Sequence, residues 1–374
     1  MTLNQPLLFS PFDLRGLTLR NRVVVSPMCQ YQAVDGVVQD WHHAHHARFA
    51  LGGVGTAFVE ATAVTAEGRI TPGCTGLWSD AHIPGLKRIT DLYRAQGVVP
   101  AIQLGHAGRR ASCQRPWDGG LPLAAGGSEA PWPLVGPSPL PERDGAPVPR
   151  ELTISDIDAL VESFRAAFRR ALKAGFDIVE IHGAHGYLIH SFFSPLSNHR
   201  TDAYGGSLGN RMRFAQRIVE AAREIWPKDR PVFYRASVVD GIEGGVTLED
   251  TVALARELKA RGVDVIDCSS GGMAGSVTLS GKKIRPGFQV ALSSGVKRGA
   301  DIATMAVGAI LTGPQAEQIL AEGNADLIAI GREFLADPNW CLHAAEALGV
   351  ENAYQLLPKY YSFYLERRAA VLER

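Results

Sequence analysis

The chain has 374 residues, of which 38 are Lys or Arg, 38 are Asp or Glu, and 46% are hydrophobic. Zero net charge argues against a nucleic acid or an anionic membrane as the main partner, and the composition excludes a disordered, collagen-like or coiled-coil chain. A chain of this length buries a large core without disulfides, so we expect a neutral globular protein that acts on a small molecule.

The amino-terminal sequence MTLNQPLLFSPFDL has no cluster of positive charge, so no signal peptide is predicted. No run approaches about 18 uninterrupted apolar residues, which argues against a membrane span. The cysteines are odd in number and widely spaced, which predicts a reduced, cytoplasmic protein. They are Cys29, Cys74, Cys113, Cys268 and Cys341. We expect all except Cys29 to be small core residues.

Eight short apolar runs are predicted as β-strands. Their middles are continuously apolar, which is typical of parallel strands buried on both faces. They cover residues 23–28, 56–64, 98–106, 177–185, 232–239, 264–270, 303–310 and 326–331.

Amphipathic helical patterns lie between these runs. The clearest cover 153–173, 210–226, the segment from Thr247 to before Gly262, 315–321 and a segment beginning near Pro338. Eight strands, each followed by a helix, predict a single (β/α)8 TIM barrel over residues 1–374.

Residues 108–150 do not fit the repeat, because they are dense in Pro, Gly and Trp. A loop this long after strand three is expected to serve as a lid or a binding wall over the active site. We predict an excursion here with a small hairpin.

In such barrels the reactive side chains come from the carboxyl ends of the strands. In chain order these ends supply Pro27, Met28, Cys29 and Tyr31, then Ala63, Gln103 and His106, then His182, His185 and Tyr187, then Arg235, Gly271, Gly308, Gly331 and Arg332. Glycines beside Arg332 predict a phosphate site, because exposed N–H groups and a guanidinium bind anions. The alternative is that the glycines only form tight turns.

His182, His185 and Tyr187 converge at the end of strand four. Two imidazoles can donate hydrogen bonds to one oxygen, and a tyrosine can deliver a proton. The HxxH spacing is also compatible with half of a metal site, but no third ligand is evident and no metal is predicted.

The histidine-rich run from His42 to His46 begins a predicted helix with Asp40 as its N-cap. A metal tract is one interpretation. We favour a structural role, with these side chains packing or hydrogen-bonding beneath the barrel rim.

Four segments together resemble the Old Yellow Enzyme family of FMN-containing ene-reductases on (β/α)8 barrels. They are SPMCQY at 26–31, QLGHAGR at 103–109, the long motif IHGAHGYLIHSFFSPLSNHRTDAYGGSLGNRMRF at 181–214, and IAIGREFLADP at 328–338. The match runs from about Leu8 to the final helix. Cys29, where the plant and yeast branch has Thr, points to the bacterial xenobiotic-reductase and thermophilic-like branch.

The resemblance implies FMN as cofactor and NADPH or NADH as reductant. The implied FMN contacts are Pro27, Met28, Cys29, Ala63, Gln103, His182, Arg235, Gly271, Gly308, Gly331 and Arg332. Among them, Cys29 would lie near the N5/O4 edge, Gln103 on the pyrimidine edge and Arg235 by N1/O2, where a fixed cation tunes the flavin. Gly308, Gly331 and Arg332 would hold the phosphate.

The implied reaction is reduction of the C=C bond of an α,β-unsaturated carbonyl or nitro compound. Hydride would pass from the nicotinamide through flavin N5 by ping-pong kinetics, since one pocket serves both substrates. His182 and His185 would hold the substrate oxygen, Tyr187 would donate the proton, and Tyr31 would line the pocket.

The resemblance also implies a homodimer in which Tyr361, Phe363 and Tyr364 lie near the neighbouring active site. Two other hypotheses remain open. One is a metal-dependent hydrolase on the same barrel that uses His182, His185 and the His42 to His46 run. The other is a barrel that binds FMN without catalysis.

Overall fold

Short strands and helices alternate along the chain in the computed structural model, which describes residues 6–273 and 284–372. The strands are β1 (Phe12–Leu14), β2 (Leu17–Leu19), β3 (Val23–Val25), β4 (Thr56–Ala63), β5 (Val99–Gly105), β6 (Val135–Gly136), β7 (Arg150–Glu151), β8 (Ile178–Gly183), β9 (Val232–Ser237), β10 (Val265–Ser269), β11 (Ala303–Val307) and β12 (Leu327–Ile330). Residues 1–5, 274–283 and 373–374 of the predicted domain 1–374 lie outside the described residues.

The helices follow the strands around the outside. They are α1 (Asp40–Ala50), α2 (Ile83–Ala95), α3 (Ile154–Lys173), α4 (Leu188–Phe193), α5 (Leu208–Ile225), α6 (Leu248–Ala260), α7 (Val290–Ala300), α8 (Gly313–Ala321), α9 (Arg332–Ala336), α10 (Trp340–Ala347) and α11 (Lys359–Val371). None of these helices, within the described residues, is long and apolar enough to cross a membrane.

Eight of the described strands close into a parallel barrel in the order β10-β11-β12-β3-β4-β5-β8-β9. Every predicted strand is present, and each observed strand lies within its predicted span. The continuously apolar runs form these strands because one face packs inside the barrel and the other packs against the helices. The predicted (β/α)8 barrel is therefore confirmed.

An antiparallel hairpin of β1 and β2 covers one end of the barrel. Leu14 and Leu19 of the hairpin pack in one cluster with residues near the amino ends of the strands, including Phe58 and Phe233. The barrel is therefore closed by apolar side chains at its amino-terminal end. The open end is the one where the strands finish, as in other barrels of this architecture.

The excursion after β5 contains the short strands β6 and β7. The predicted small hairpin lies ahead of them, where an antiparallel bridge joins Cys113 to Pro122. The strands β6 and β7 themselves pair in parallel. The long connection between them lets the second strand run in the same direction as the first. Buried Arg200 fastens this region to the barrel, since its Nη1 donates to Leu152 O at 2.6 Å and to Pro137 O at 3.1 Å.

Helix starts mostly follow the sequence signals. Thr153 caps α3 and Thr247 caps α6, each with a reciprocal capping box. At α1 the structure differs by one position: Gln39 is the N-cap and the predicted cap, Asp40, is the first helical residue. Gln39 takes this place because its backbone N–H donates to His42 Nδ1 at 3.0 Å.

Candidate active site

The end of β8 brings three predicted site residues together. The His182 ring lies 5.2 Å from the His185 ring and 5.0 Å from the Tyr187 ring, centroid to centroid, and both pairs meet edge to face. The three side chains are buried. His185 has a left-handed backbone with φ +61°, which turns the chain back sharply enough to bring Tyr187 beside His182.

Hydrogen bonds fix which ring nitrogen of His182 carries the hydrogen. The Ala184 N–H donates to His182 Nδ1 at 3.3 Å, so Nε2 is the nitrogen that carries the hydrogen in the neutral ring. His185 Nε2 lies 2.7 Å from Ser269 Oγ. When Ser269 donates this bond, the His185 hydrogen is on Nδ1. Each imidazole can then offer one N–H donor to a ligand.

Burial sets the charge of these three groups. It lowers the pKa of His182 and of His185 well below the ordinary value, and the nearby Arg235 guanidinium lowers both further. Burial, followed by the Cys29 sulfur, raises the pKa of Tyr187. At neutral pH the site therefore presents two neutral imidazoles and a protonated phenol.

The segment after β3 forms the facing wall. Tyr31 has φ +54° and packs edge-on against Trp117 of the excursion, with ring centroids 5.7 Å apart. Its hydroxyl hydrogen-bonds to the Cys29 sulfur. Burial, then the Glu60 carboxylate, raise the pKa of the Cys29 thiol well above its ordinary value, so the sulfur keeps its proton at neutral pH.

Glu60 of β4 holds this wall in place, and the sequence analysis missed it. The Gln30 N–H donates to Glu60 Oε2 at 2.8 Å, and His42 Nε2 lies 3.2 Å from Glu60 Oε1. Because His42 Nδ1 accepts the Gln39 N–H, the neutral ring carries its hydrogen on Nε2, the nitrogen that faces Glu60. The register of β4 shifts between Val59 and Thr62, a bulge at the position of Glu60.

His45 and His46 of the run have structural partners as well. His46 Nδ1 lies 2.6 Å from Tyr93 Oη, and the His45 ring packs edge-on against Phe49 at 4.7 Å. The structural interpretation of the run is therefore confirmed. Across the described ranges, no three His, Cys, Asp or Glu side chains are grouped as metal ligands would be.

A buried polar network spans four neighbouring strands inside the barrel. Gln103 Nε2 donates to Glu180 Oε1 at 2.8 Å, and Arg235 Nε lies 3.2 Å from Asp267 Oδ2. The Glu180 carboxyl hydrogen-bonds to Asp267. Burial and the Asp267 carboxylate raise the pKa of Glu180 well above its ordinary value. The protonated Glu180 thus leaves Asp267 as the counter-charge of Arg235.

A cleft at the ends of β9 to β12 contains the predicted phosphate residues. It encloses about 1130 Å³, including its open mouth. The predicted site residues on its walls are Arg235, Gly308, Gly331 and Arg332. Gly308 has φ +112°, and a Cβ there would lie 2.6 Å from Gln289 Nε2, so the backbone turns closely at this point. Size, backbone access and two guanidinium groups fit a flat ligand with a phosphate.

A second cavity, of about 730 Å³, lies between the barrel and the excursion. Tyr31 and Tyr187 line it together with Arg109, Arg110 and Arg143. Ala63, His182 and Tyr187 line a smaller neighbouring cavity of about 260 Å³. Tyr187 therefore faces both spaces, as a residue that meets a substrate entering from the excursion side would.

Gly271 lies apart from the cleft. Its N–H donates to Val239 O at 2.8 Å, and its carbonyl oxygen accepts the Ser237 hydroxyl at 2.7 Å. Its backbone groups are thus occupied within the protein. Gln103 is likewise held by Glu180, with its amide in the buried network rather than on the walls of the three cavities.

Known proteins are similar to this chain in fold and in sequence. The family model described as "NADH:flavin oxidoreductase / NADH oxidase family" matches residues 7–351. An NADPH dehydrogenase of Geobacillus sp. (strain WCH70) is 44% identical over 347 residues, which cover 92% of this chain and 95% of that protein.

Two solved structures extend the comparison. Morphinone reductase superposes with a TM-score of 0.75 at 28% identity and covers 93% of this chain and 91% of its own. A 2-naphthoyl-CoA reductase in complex with 2-naphthoyl-CoA gives a TM-score of 0.81 at 27% identity. The match covers 92% of this chain but only 53%, about half, of that longer one.

The family match spans the barrel, the end of β8 and the cleft beside Arg332, and its flavin chemistry agrees with the shape and charge of that cleft. The family match confirms the predicted FMN cofactor and nicotinamide reductant. The chain belongs to the NADH:flavin oxidoreductase / NADH oxidase family, as an FMN-dependent NAD(P)H oxidoreductase of the Old Yellow Enzyme type.

Proposed function

We propose that the protein is an ene-reductase that reduces the C=C bond of α,β-unsaturated carbonyl or nitro compounds. The observation that carries the proposal is the group of two neutral imidazoles and one protonated phenol at the end of β8, with ring centroids 5.0 to 6.4 Å apart. Such a group can bind an oxygen acceptor and supply a proton beside it.

The described residues fit the FMN of the family. Gly308, Gly331 and Arg332 would hold its phosphate, and Arg235 would meet its polar edge, with Gln103 beside it. Pro27, Met28, Cys29, Ala63 and His182 would lie along its ring system. When bound, FMN supplies hydride transfer between the nicotinamide and the substrate.

His182 and His185 have the role of oxygen ligands in this proposal. The Ala184 N–H donates to His182 Nδ1 and so leaves Nε2–H as a donor. With Ser269 donating to His185 Nε2, the second donor is His185 Nδ1–H. These bonds strengthen as negative charge develops on the substrate oxygen, so they stabilise the transition state more than the ground state. Two neutral donors also avoid the cost of burying charge before the substrate arrives.

Tyr187 has the role of proton donor. Burial raises its pKa, so the Oη keeps its proton until a strongly basic carbon develops beside it. Tyr187 lines both the 730 Å³ and the 260 Å³ cavities, which supports direct contact with a substrate. Tyr31 also lines the 730 Å³ cavity and would define its width.

NADPH is the proposed reductant, because the curated relatives at 42–45% identity carry the name NADPH dehydrogenase. Reductant and substrate would use the same opening in turn, which gives ping-pong kinetics. We also propose a cytoplasmic location, which the five unpaired cysteines support, since they suit a reducing compartment.

A homodimer is proposed from the exposed aromatic surface of α11. Tyr361, Phe363 and Tyr364 are 48%, 52% and 71% exposed, and none of the described residues of α11 is buried. A helix with this many bare aromatic rings is typical of an interface. In the proposed dimer these rings lie near the active site of the neighbouring copy.

The test is an anaerobic titration of the purified protein with NADPH, followed by an enone such as 2-cyclohexenone. We expect a yellow protein that is bleached by NADPH and regains its colour with the enone. A yellow protein inert to NADPH and NADH would contradict the proposal and support a non-catalytic FMN barrel. A colourless protein with stoichiometric zinc would support the hydrolase hypothesis instead.

A further inference from the structure

The turn that carries Tyr187 contains two successive residues with left-handed backbone. His185 has φ +61° and Gly186 has φ +73°. Positive φ is unfavourable for a residue with a side chain, so such a turn persists only where surrounding contacts hold it. The contacts on either side of the His185–Gly186 peptide therefore decide where Tyr187 lies.

His185 has anchors of its own. Its N–H donates to Ser237 Oγ at 2.9 Å, and its Nε2 lies 2.7 Å from Ser269 Oγ. These bonds tie His185 to the ends of β9 and β10. The next N–H, that of Gly186, belongs to a different set of contacts, and it immediately precedes Tyr187.

The Gly186 N–H donates to His190 Nδ1 at 2.9 Å. An Nδ1 that accepts a hydrogen bond carries no hydrogen, so the ring hydrogen of His190 is on Nε2. That Nε2 lies 2.9 Å from Asp240 Oδ1. Both side chains are fully buried. A single imidazole thus connects the catalytic turn to a carboxylate on the loop after β9.

Asp240 is itself held on its other oxygen. Its Oδ2 accepts the Ser194 hydroxyl at 2.7 Å and the Val246 N–H at 2.8 Å. Burial would raise the pKa of Asp240, but the hydrogen bonds from His190, Val246 and Ser194 lower it below the ordinary value. The carboxylate stays ionised and fixes the orientation of the His190 ring, as carboxylates do behind metal-bound and catalytic histidines.

We propose that His190 and Asp240 are positioning residues for Tyr187. The Asp240 carboxylate fixes the tautomer and orientation of His190, and His190 Nδ1 fixes the Gly186 N–H and so the place of the Tyr187 hydroxyl. The inference rests on the proposed function, in which Tyr187 donates the proton. Neither His190 nor Asp240 lines the three cavities described above, so both act through the turn.

The test compares His190→Leu with His190→Asn in the FMN-loaded enzyme. Leu removes the acceptor for the Gly186 N–H, whereas the Asn Oδ1 stands near the position of Nδ1 and can still accept it. In single-turnover experiments we expect His190→Leu to slow oxidation by the enone about 10- to 100-fold and to change reduction by NADPH less than about twofold. His190→Asn should recover most of the loss.

A background without the Tyr187 hydroxyl separates positioning from general damage. In Tyr187→Phe, the further change His190→Leu should slow enone oxidation less than about threefold, because residues that act as one unit are not additive. Tyr93→Phe is the matched control. It removes another buried hydrogen bond to an imidazole, that of His46, and should lower thermal stability without changing either half-reaction.

A spectroscopic readout tests the inference apart from activity. In protein with 13C-labelled tyrosine, the Tyr187 resonance, assigned by its loss in Tyr187→Phe, should shift in His190→Leu and stay in place in His190→Asn and Tyr93→Phe. An unmoved resonance in His190→Leu overturns the proposal. So does an equal loss of both half-reactions, or an equal loss in the Tyr187→Phe background. A wild-type enzyme that NADPH cannot reduce overturns the proposed function instead, and the resonance still tests the positioning.

Discussion

Four titratable side chains lie in β8 and in the segments that follow β3 and β8: Cys29, His182, His185 and Tyr187. Burial is the largest cause of each pKa shift, and it raises the pKa of the thiol and the phenol and lowers the pKa of both imidazoles. All four are neutral at physiological pH as a result. A site of neutral donors suits a substrate that enters uncharged and becomes negative only during the reaction.

Tyr187→Phe tests the proton donor at this scale. The ring and its packing remain while the only acidic hydrogen is lost, so oxidation by an enone should slow by about 100-fold or more. Reduction by NADPH needs no proton from Tyr187 and should be largely unchanged. Stopped-flow measurement of the two half-reactions distinguishes these effects, and the reverse pattern would remove Tyr187 from the assigned role.

The buried pair of Glu180 and Asp267 gives a second prediction. Glu180 is protonated, so Glu180→Gln should lower the free energy of unfolding by less than about 1 kcal/mol. Asp267→Leu leaves the Arg235 guanidinium buried without a counter-charge and should cost about 3 kcal/mol. Denaturant unfolding at one fixed FMN concentration measures both variants, and equal losses would contradict the assigned protonation.

The same pair fixes the sign of a pH dependence. The ordinary pKa of Glu180 is 4.5, and the folded protein raises it. Above pH 4.5 the unfolded chain releases this proton while the folded chain retains it, so wild-type stability relative to Glu180→Gln should fall as pH rises toward the folded pKa. Unfolding series from pH 5 to pH 8 check this, and a difference that grows in favour of wild type would contradict it.

Some of these residues could be predicted from the sequence and others could not. His182, His185 and Tyr187 stand at a strand end, where the barrel architecture directs reactive groups. Glu180 lies in the interior of a strand that reads as a buried run, and His190 lies on α4 beyond the turn. Their partners, Asp267 and Asp240, are distant in sequence, so only the closed barrel brings the pairs together.

Among the single elements, α3 shows how a capping box fixes the point at which the excursion returns to the barrel. The Thr153 hydroxyl accepts the Asp156 N–H at 3.1 Å, and Asp156 Oδ2 accepts the Thr153 N–H at 2.9 Å. This capping box begins α3 immediately after the excursion ends at β7. The excursion therefore rejoins the barrel at a fixed point despite its length.

Thr153→Ala should lower the free energy of unfolding by about 1 kcal/mol, because the first-turn N–H loses its acceptor. Ser163→Ala on the same helix is the control. Its hydroxyl donates only to the Ala159 carbonyl within the helix, so the loss should be small. Urea unfolding of the two variants checks the difference, and a Thr153→Ala protein as stable as wild type would show that the cap is dispensable.

The secondary structure of the excursion could be predicted only in part. Its composition indicated a wall over the site, and its residues do line the larger cavity. The parallel pairing of β6 with β7 was missed because two-residue strands leave no periodic pattern in a Pro- and Gly-rich sequence. The hairpin of β1 and β2 was missed for the same reason, since each strand has only three residues.

For the whole molecule, the alternation of strand and helix was enough to predict the closed barrel. The proposed dimer also concerns the whole molecule. It is based on α11, which carries exposed aromatic rings and has no buried side chain among its described residues. A helix that contributes so little to the core of its own chain can be removed with little effect on folding.

Truncation after Leu357 removes α11 and tests the proposed dimer. We expect the shortened protein to fold and bind FMN, to lose dimer mass in analytical ultracentrifugation, and to show a KM for the enone raised severalfold. Tyr360→Ser, at a ring outside the proposed set, serves as a control that should leave KM unchanged. Unchanged mass and substrate kinetics after truncation would remove the dimer from the proposal.

The apolar hairpin at the amino-terminal end has a practical consequence. Leu14 and Leu19 seal that end, so every molecule that reaches the site must arrive and leave through the opposite face. In the proposed function, reductant and substrate use the same opening in turn, and a large excess of either should inhibit the other. The closed amino-terminal end is also the suitable place to attach the enzyme to a solid support. An enzyme attached there keeps the carboxyl-terminal end of its barrel, where the active site opens, toward the solution.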